Sequence, residues 1–226
     1  MGLKAILAKL SAQIFGWTTK KLEVVNGRKP GGGLAGMDLS EMNLRGANLR
    51  GVDLSGANLE NANLRGVILF ETSLHGAKLR GANLHHADLS GADLYRTDLS
   101  GANLSGADLS SAVLVETVLS RANLRGANLR SVDMRHVDLD WADLRGASLR
   151  NAILFETVLS HTNLRGANLR GANLRNVDMG SVDLSWADLR GADLCSAKMT
   201  QEQIDNIYSD EHTKFPPHLH PSLETQ

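Results

Sequence analysis

An all-β solenoid is the fold this sequence predicts, and three observations carry the prediction. From Leu39 to Met199 a large apolar residue stands at every fifth position without a slip, Leu throughout except for Met134, Met179 and Met199. Two residues before each centre sits a small or slim residue, mostly Ala, otherwise Val, Thr or Met. One residue before it sits Asn or Asp in 24 of 33 repeats, so the unit reads as in Ala47-Asn48-Leu49-Arg50-Gly51. A period of five is neither the 2 of a strand nor the 3.6 of a helix. Self-similarity at a fixed period marks a repeat array. One such unit cannot bury its own Leu, so copies must stack on one another. If each unit forms one side of a square, four units close a coil with Leu and the Ala-like residue inside. Coils stacked at ~4.8 Å then give about eight coils and a rod roughly 40 Å long.

Each position in the unit has a physical reason. Asn and Asp bond readily to nearby backbone and suit the corners. Gly recurs two residues after the centre, as at Gly46, Gly51 and Gly101, and relaxes the backbone where the corner is tight. The Ala column leaves room for the Leu ladder, and a larger residue there overpacks the tube.

On these residues the chain resembles the pentapeptide-repeat family over about 160 of its 226 residues. The Leu-centred, Ala-rich unit is similar to the cyanobacterial type. The resemblance implies a right-handed quadrilateral β-helix. It also raises duplex mimicry, since some members occupy the DNA-binding saddle of gyrase. Those members more often carry Phe at the centre, and this chain departs from that subtype.

Three segments follow: residues 1–33, the array 34–200, and a tail 201–226. Residues 3–17 read as an amphipathic helix, with Leu3, Ile6, Leu7, Leu10, Ile14 and Trp17 at helical spacing. It is expected to cap the open end of the solenoid, and it is the one candidate for membrane contact. It is too short and polar to span a bilayer, and Lys9 interrupts any signal-peptide core. The stretch Asn26 to Gly33 reads as a flexible joint. At the other end Thr200 and Gln203 make a capping-box pattern, predicting a short helix over 201–208 with Ile204, Ile207 and Tyr208 covering the last coil. His218 and His220 lie in a Pro-rich tail and read as solvated, with no metal expected.

The chain is nearly neutral, with 24 basic and 25 acidic side chains, but the charge is uneven. Residues 1–35 carry six Lys or Arg against one Glu, and the tail 201–226 carries five acids against one Lys. The lone Cys195 excludes an internal disulfide framework and occupies an outward slot. A cytoplasmic setting is the simplest reading.

Residues 20 apart share a column, so the surface can be laid out in advance. Two neighbouring columns are rich in Arg, densest at Arg125, Arg130, Arg145, Arg150, Arg165 and Arg170. The ordinary reading is a solvated face; anion or nucleic-acid binding is the alternative, disfavoured because few aromatics are present to stack on bases. A sharper anomaly lies where Asn or Asp gives way to Ile68, Val113, Val118, Ile153 and Val158. Val113, Val115, Ile153 and Phe155 are expected to line one face, with Val118 and Val158 round the corner, Trp141 on the coil between and Tyr95 one coil before Val115. Trp141 has Arg121 and His161 as column neighbours. An exposed apolar edge on a rod marks a contact surface.

No enzyme is expected, for no nucleophile triad, phosphate loop or zinc spacing is present, and Glu116, His136 and Glu156 share a column without a cleft. The reading is a non-catalytic interaction, scaffold or regulatory rod with a protein partner of unassigned identity, homodimerisation being open and no cofactor implied. The alternatives are DNA mimicry, which the near-zero charge disfavours, and anion binding through the Arg columns.

Overall fold

The computed structural model describes residues 33–219, and the expected N-terminal helix and joint lie outside the described residues. Each wall residue pairs in parallel with the residue 20 positions on: Asp38 with Asn58, Asn43 with Asn63, Asn48 with Ile68, Asp53 with Ser73. Four units therefore close each coil. We number the walls by their bridging residues: wall 1 from Asp38, wall 2 from Asn43, wall 3 from Asn48 and wall 4 from Asp53. Wall 3 runs unbroken from Asn48 to Tyr208 and wall 4 from Asp53 to Lys214.

The interior is the Leu column with the Ala, Val, Thr and Met residues two positions before it, nearly all fully buried. No aromatic residue is among the buried residues described. Thr enters the Ala slot only with its hydroxyl satisfied. Thr72 Oγ1 donates to the Leu49 carbonyl at 2.9 Å, and Thr97, Thr117, Thr157 and Thr162 donate to the carbonyls 23 residues earlier at 2.8 Å.

The corners show why Asn and Asp recur. In the unit 62–66, the amides of Asn63, Leu64 and Gly66 bond to the adjacent coils, and that of Ala62 closes a turn onto the Leu59 carbonyl. The fifth amide, Arg65, donates to Asn63 Oδ1 at 3.3 Å. Every one of the 24 wall Asn and Asp residues makes this bond, at 2.9–3.3 Å. The expected corner role thus comes with a shift of place: the Asx residue stands on the wall and its side chain reaches into the corner. The second residue after the centre has φ near +60° from Gly36 to Ser196, Ser181 excepted, as at Gly126 (+64°) and His136 (+59°). A positive φ at the third turn position is the mark of a type II turn.

Helix α1, Gln201–Asp205, ends the array. The capping box is present: Gln203 N–H donates to Thr200 Oγ1 at 3.2 Å and Thr200 N–H to Gln203 Oε1 at 2.8 Å. Gln203 Nε2 also donates to the Met179 carbonyl at 2.6 Å and to the Val182 carbonyl at 2.9 Å, the latter an acceptor that a further coil would have bonded. The helix is shorter than the expected 201–208. Ile204 and Ile207 are buried as expected, but Tyr208 is 53 % exposed, because the chain rejoins wall 3 there and pairs with Asp188.

Candidate functional site

The sequence-predicted edge lies where wall 4 turns into wall 1. Val113 and Ile153 stand on wall 4, Val118 and Val158 on wall 1, and all four are exposed, from 36 % at Val118 to 49 % at Val158. Val115 and Phe155 occupy the corner between these walls and are half-buried. Each apolar wall residue removes the side-chain acceptor of the amide two positions on. The amides of Val115, Ser120, Phe155 and Ser160 therefore lack the turn bond made everywhere Asn or Asp is present.

The expected face is interrupted. The two apolar bands, 113–118 and 153–158, are two coils apart, or about 10 Å. Between them lies the charged band Asp133, Arg135, His136 and Asp138, in which Arg135 Nη2 meets Asp133 Oδ2 at 2.6 Å. That guanidinium holds the Asp133 carboxyl below its ordinary range, against the opposing effect of burial. Along the corner, polar groups pair in one column: Arg96 Nε meets Glu116 Oε2 at 2.7 Å, and His136 Nδ1 lies 3.4 Å from Glu156 Oε2. Tyr95 belongs to this polar ladder rather than to the apolar edge, since its hydroxyl donates to Glu116 Oε1 at 3.1 Å and its ring rests against His75. Trp141 lies at the far corner of wall 1, 57 % exposed, with His161 stacked on it at 4.3 Å between ring centres. Ile68 stands on wall 3, and Phe70 carries the Arg50 guanidinium at 4.5 Å from its ring centre.

The Arg columns flank wall 3. Arg125, Arg145 and Arg165 follow wall 2, while Arg130, Arg150, Arg170 and Arg190 follow wall 3. Arg145 pairs with Asp143, and Asp188 takes Arg190 at 2.7 Å and Arg170 at 4.0 Å. Arg125, Arg130, Arg150 and Arg165 have no ion pair among the described residues. Sequence reasoning missed the two aromatics on this side, Trp186 and Tyr208. They are 58 % and 53 % exposed, with ring centres 6.4 Å apart.

Among the described residues, no group of three or more His, Cys, Asp or Glu is arranged to hold a metal, and no helix is long and apolar enough to cross a membrane.

The family model for pentapeptide repeats matches in eight copies, over residues 34–66, 68–110, 102–140, 112–151, 142–180 and 152–191. No curated protein matches the chain in sequence. Among solved structures it is similar to HetL, a pentapeptide-repeat protein involved in heterocyst differentiation regulation from the cyanobacterium Nostoc sp. strain PCC 7120. That match has 33 % identity, 79 % of this chain and 86 % of that one covered, and a TM-score of 0.49. A pentapeptide-repeat protein of the Arabidopsis thaliana thylakoid lumen matches at 31 % identity over 52 % of this chain and 72 % of its own, TM-score 0.17. QnrB1, a plasmid-mediated fluoroquinolone resistance protein, matches at 16 % identity over 76 % and 91 %, TM-score 0.40. The five-residue period, the four-walled coil it closes and the repeat match leave one assignment: this chain belongs to the pentapeptide-repeat family.

Proposed function

We propose that the chain is a non-catalytic docking rod that binds a protein partner through the edge shared by walls 4 and 1. The observation that supports it is the exposure of Val113, Val118, Ile153 and Val158 at positions where Asn or Asp would have bonded the turn. A hydrogen bond of this kind contributes about 1 kcal/mol, and β-branched residues recover part of that through their preference for extended backbone. Neither term gives a solitary rod a reason to place apolar side chains in water. A contact surface does. The partner that fits carries two apolar ridges about 10 Å apart and a polar middle that meets Asp133, Arg135 and His136.

Asp or Asn stands at most of the equivalent wall positions, and Asn supplies the same turn acceptor without a charge, so Val113→Asn, Ile153→Asn and Val158→Asn together keep the coil and supply the missing turn acceptors. The triple variant is expected to match or exceed the wild type in thermal stability and to lose association. Pull-down from lysate and light scattering are the measurements. A variant that associates as the wild type does would overturn the reading.

A further inference from the structure

Wall 3 carries a second surface on the side of the rod away from the docking edge. Its floor over three coils is Asn128, Ser148 and Asn168, all short and uncharged. One bank is Arg125, Arg145 and Arg165, and the other is Arg130, Arg150, Arg170 and Arg190. Beside the first bank, a Cβ at Gly126, Gly146 or Gly166 would meet nothing within 4 Å, so that margin is open. Next in the same corner column, where Gly166 ends, stands Trp186, and next on the floor after Asp188 stands Tyr208.

We infer that this strip binds single-stranded nucleic acid. Like charges stacked in register at about 4.8 Å destabilise one another unless anions lie between them. Arg130, Arg150 and Arg165 have no such carboxylate at ion-pair distance among the described residues, and Arg125 has only the Asp143 field beyond that distance. A row of guanidinium groups along a flat floor tracks one phosphate backbone. The exposed ring pair of Trp186 and Tyr208 offers a face on which unpaired bases stack, which a duplex does not present. An acidic peptide would use the arginines and leave the rings without a role.

The test is fluorescence anisotropy of a fluorescein-labelled oligothymidylate, titrated with the rod at low and at physiological salt. Binding is expected at low salt, with log K falling linearly in log salt by about 0.7 for each phosphate engaged. Arg130→Glu, Arg150→Glu and Arg165→Glu together are expected to weaken it more than tenfold and flatten that slope. Trp186→Ala is expected to weaken it by roughly five- to a hundredfold with the slope unchanged. All four positions face outward, and circular dichroism checks that the variants keep the coil. No anisotropy change at the lowest salt overturns the proposal. So does a Trp186→Ala rod that binds as the wild type, or polyglutamate that competes as well as oligothymidylate. The triple Asn variant of the docking edge is expected to bind the oligonucleotide normally, which separates this surface from the first.

Discussion

Leu124→Ala is expected to destabilise the rod by about 2–5 kcal/mol, the range for emptying a Leu site that cannot collapse. Leu124 is fully buried in the middle of the ladder. Its amide is held to the Asp143 carbonyl at 2.8 Å, and Leu104 of the preceding coil is held to Asn123 at 2.7 Å. Coil spacing is set by these backbone bonds, so neighbours cannot move in to fill the void. Among the described residues Leu39 has a stacked neighbour on one side only, and the same change there should cost less. Because each coil contacts only the next, the central variant should also split unfolding into two steps at the weakened coil. Urea titration followed by circular dichroism checks both points, and equal losses at Leu124 and Leu39 would contradict them.

Acid is expected to unfold the rod through its wall carboxylates. Asp133, Asp143 and Asp188 are each held below the ordinary Asp range by the guanidinium two residues on, Arg135, Arg145 and Arg190, with burial opposing. In Asp53 the Ser55 hydroxyl and amide do the same. In Asp108 burial opposes ionisation most strongly, yet the Ser110 hydroxyl and amide and the Asn128 amide together outweigh it. A carboxyl depressed in the fold stabilises it above the unfolded value, about 3.9. That contribution disappears as pH falls through the lower folded value. The expected result is a melting temperature that is flat near neutrality and falls steeply below about pH 4. Asp133→Asn, Asp143→Asn and Asp188→Asn together keep the turn acceptor and remove the titration. That rod should be slightly less stable at pH 7, where its arginine pairs are gone, and should lose less on acidification. Parallel curves for variant and wild type would exclude the carboxylates as the cause.

How far the sequence could be read follows from which features obey the period. The Leu and Ala columns, the wall positions and the Arg banks all lie at fixed offsets, so their columns were legible by counting. The apolar substitutions at Val113 and Ile153 were legible too, as were Asp133, His136 and Asp138 on the coil between them, but the ion pair there was not. A column read one residue type at a time passes over Arg135, whose pairing with Asp133 divides the edge in two. The aromatic pair was hidden by a change of rule. Tyr208 was assigned to a helix from the capping box at Thr200, whereas counting 20 from Asp188 places it on wall 3. Trp186 was likewise reachable by counting 20 from Gly166. No local signal shows that the helix stops at Asp205. That depends on the Gln203 side chain reaching the Met179 and Val182 carbonyls, a contact set by the last coil rather than by the helix itself.

The step of 20 between paired wall residues, kept throughout the array and broken only at Asp193 with Lys214, makes the rod behave like a combination lock. Excising four units removes one tumbler: everything beyond the cut keeps its compass bearing and moves closer by about 4.8 Å. Excising one unit turns everything beyond the cut by a quarter revolution, swinging Trp186 and Tyr208 out from under the arginine banks while every Leu still finds a Leu or Met beneath it. Such a chain keeps its core and loses its alignment, so which surfaces face the same way can be changed by deletions that leave the packing rules untouched.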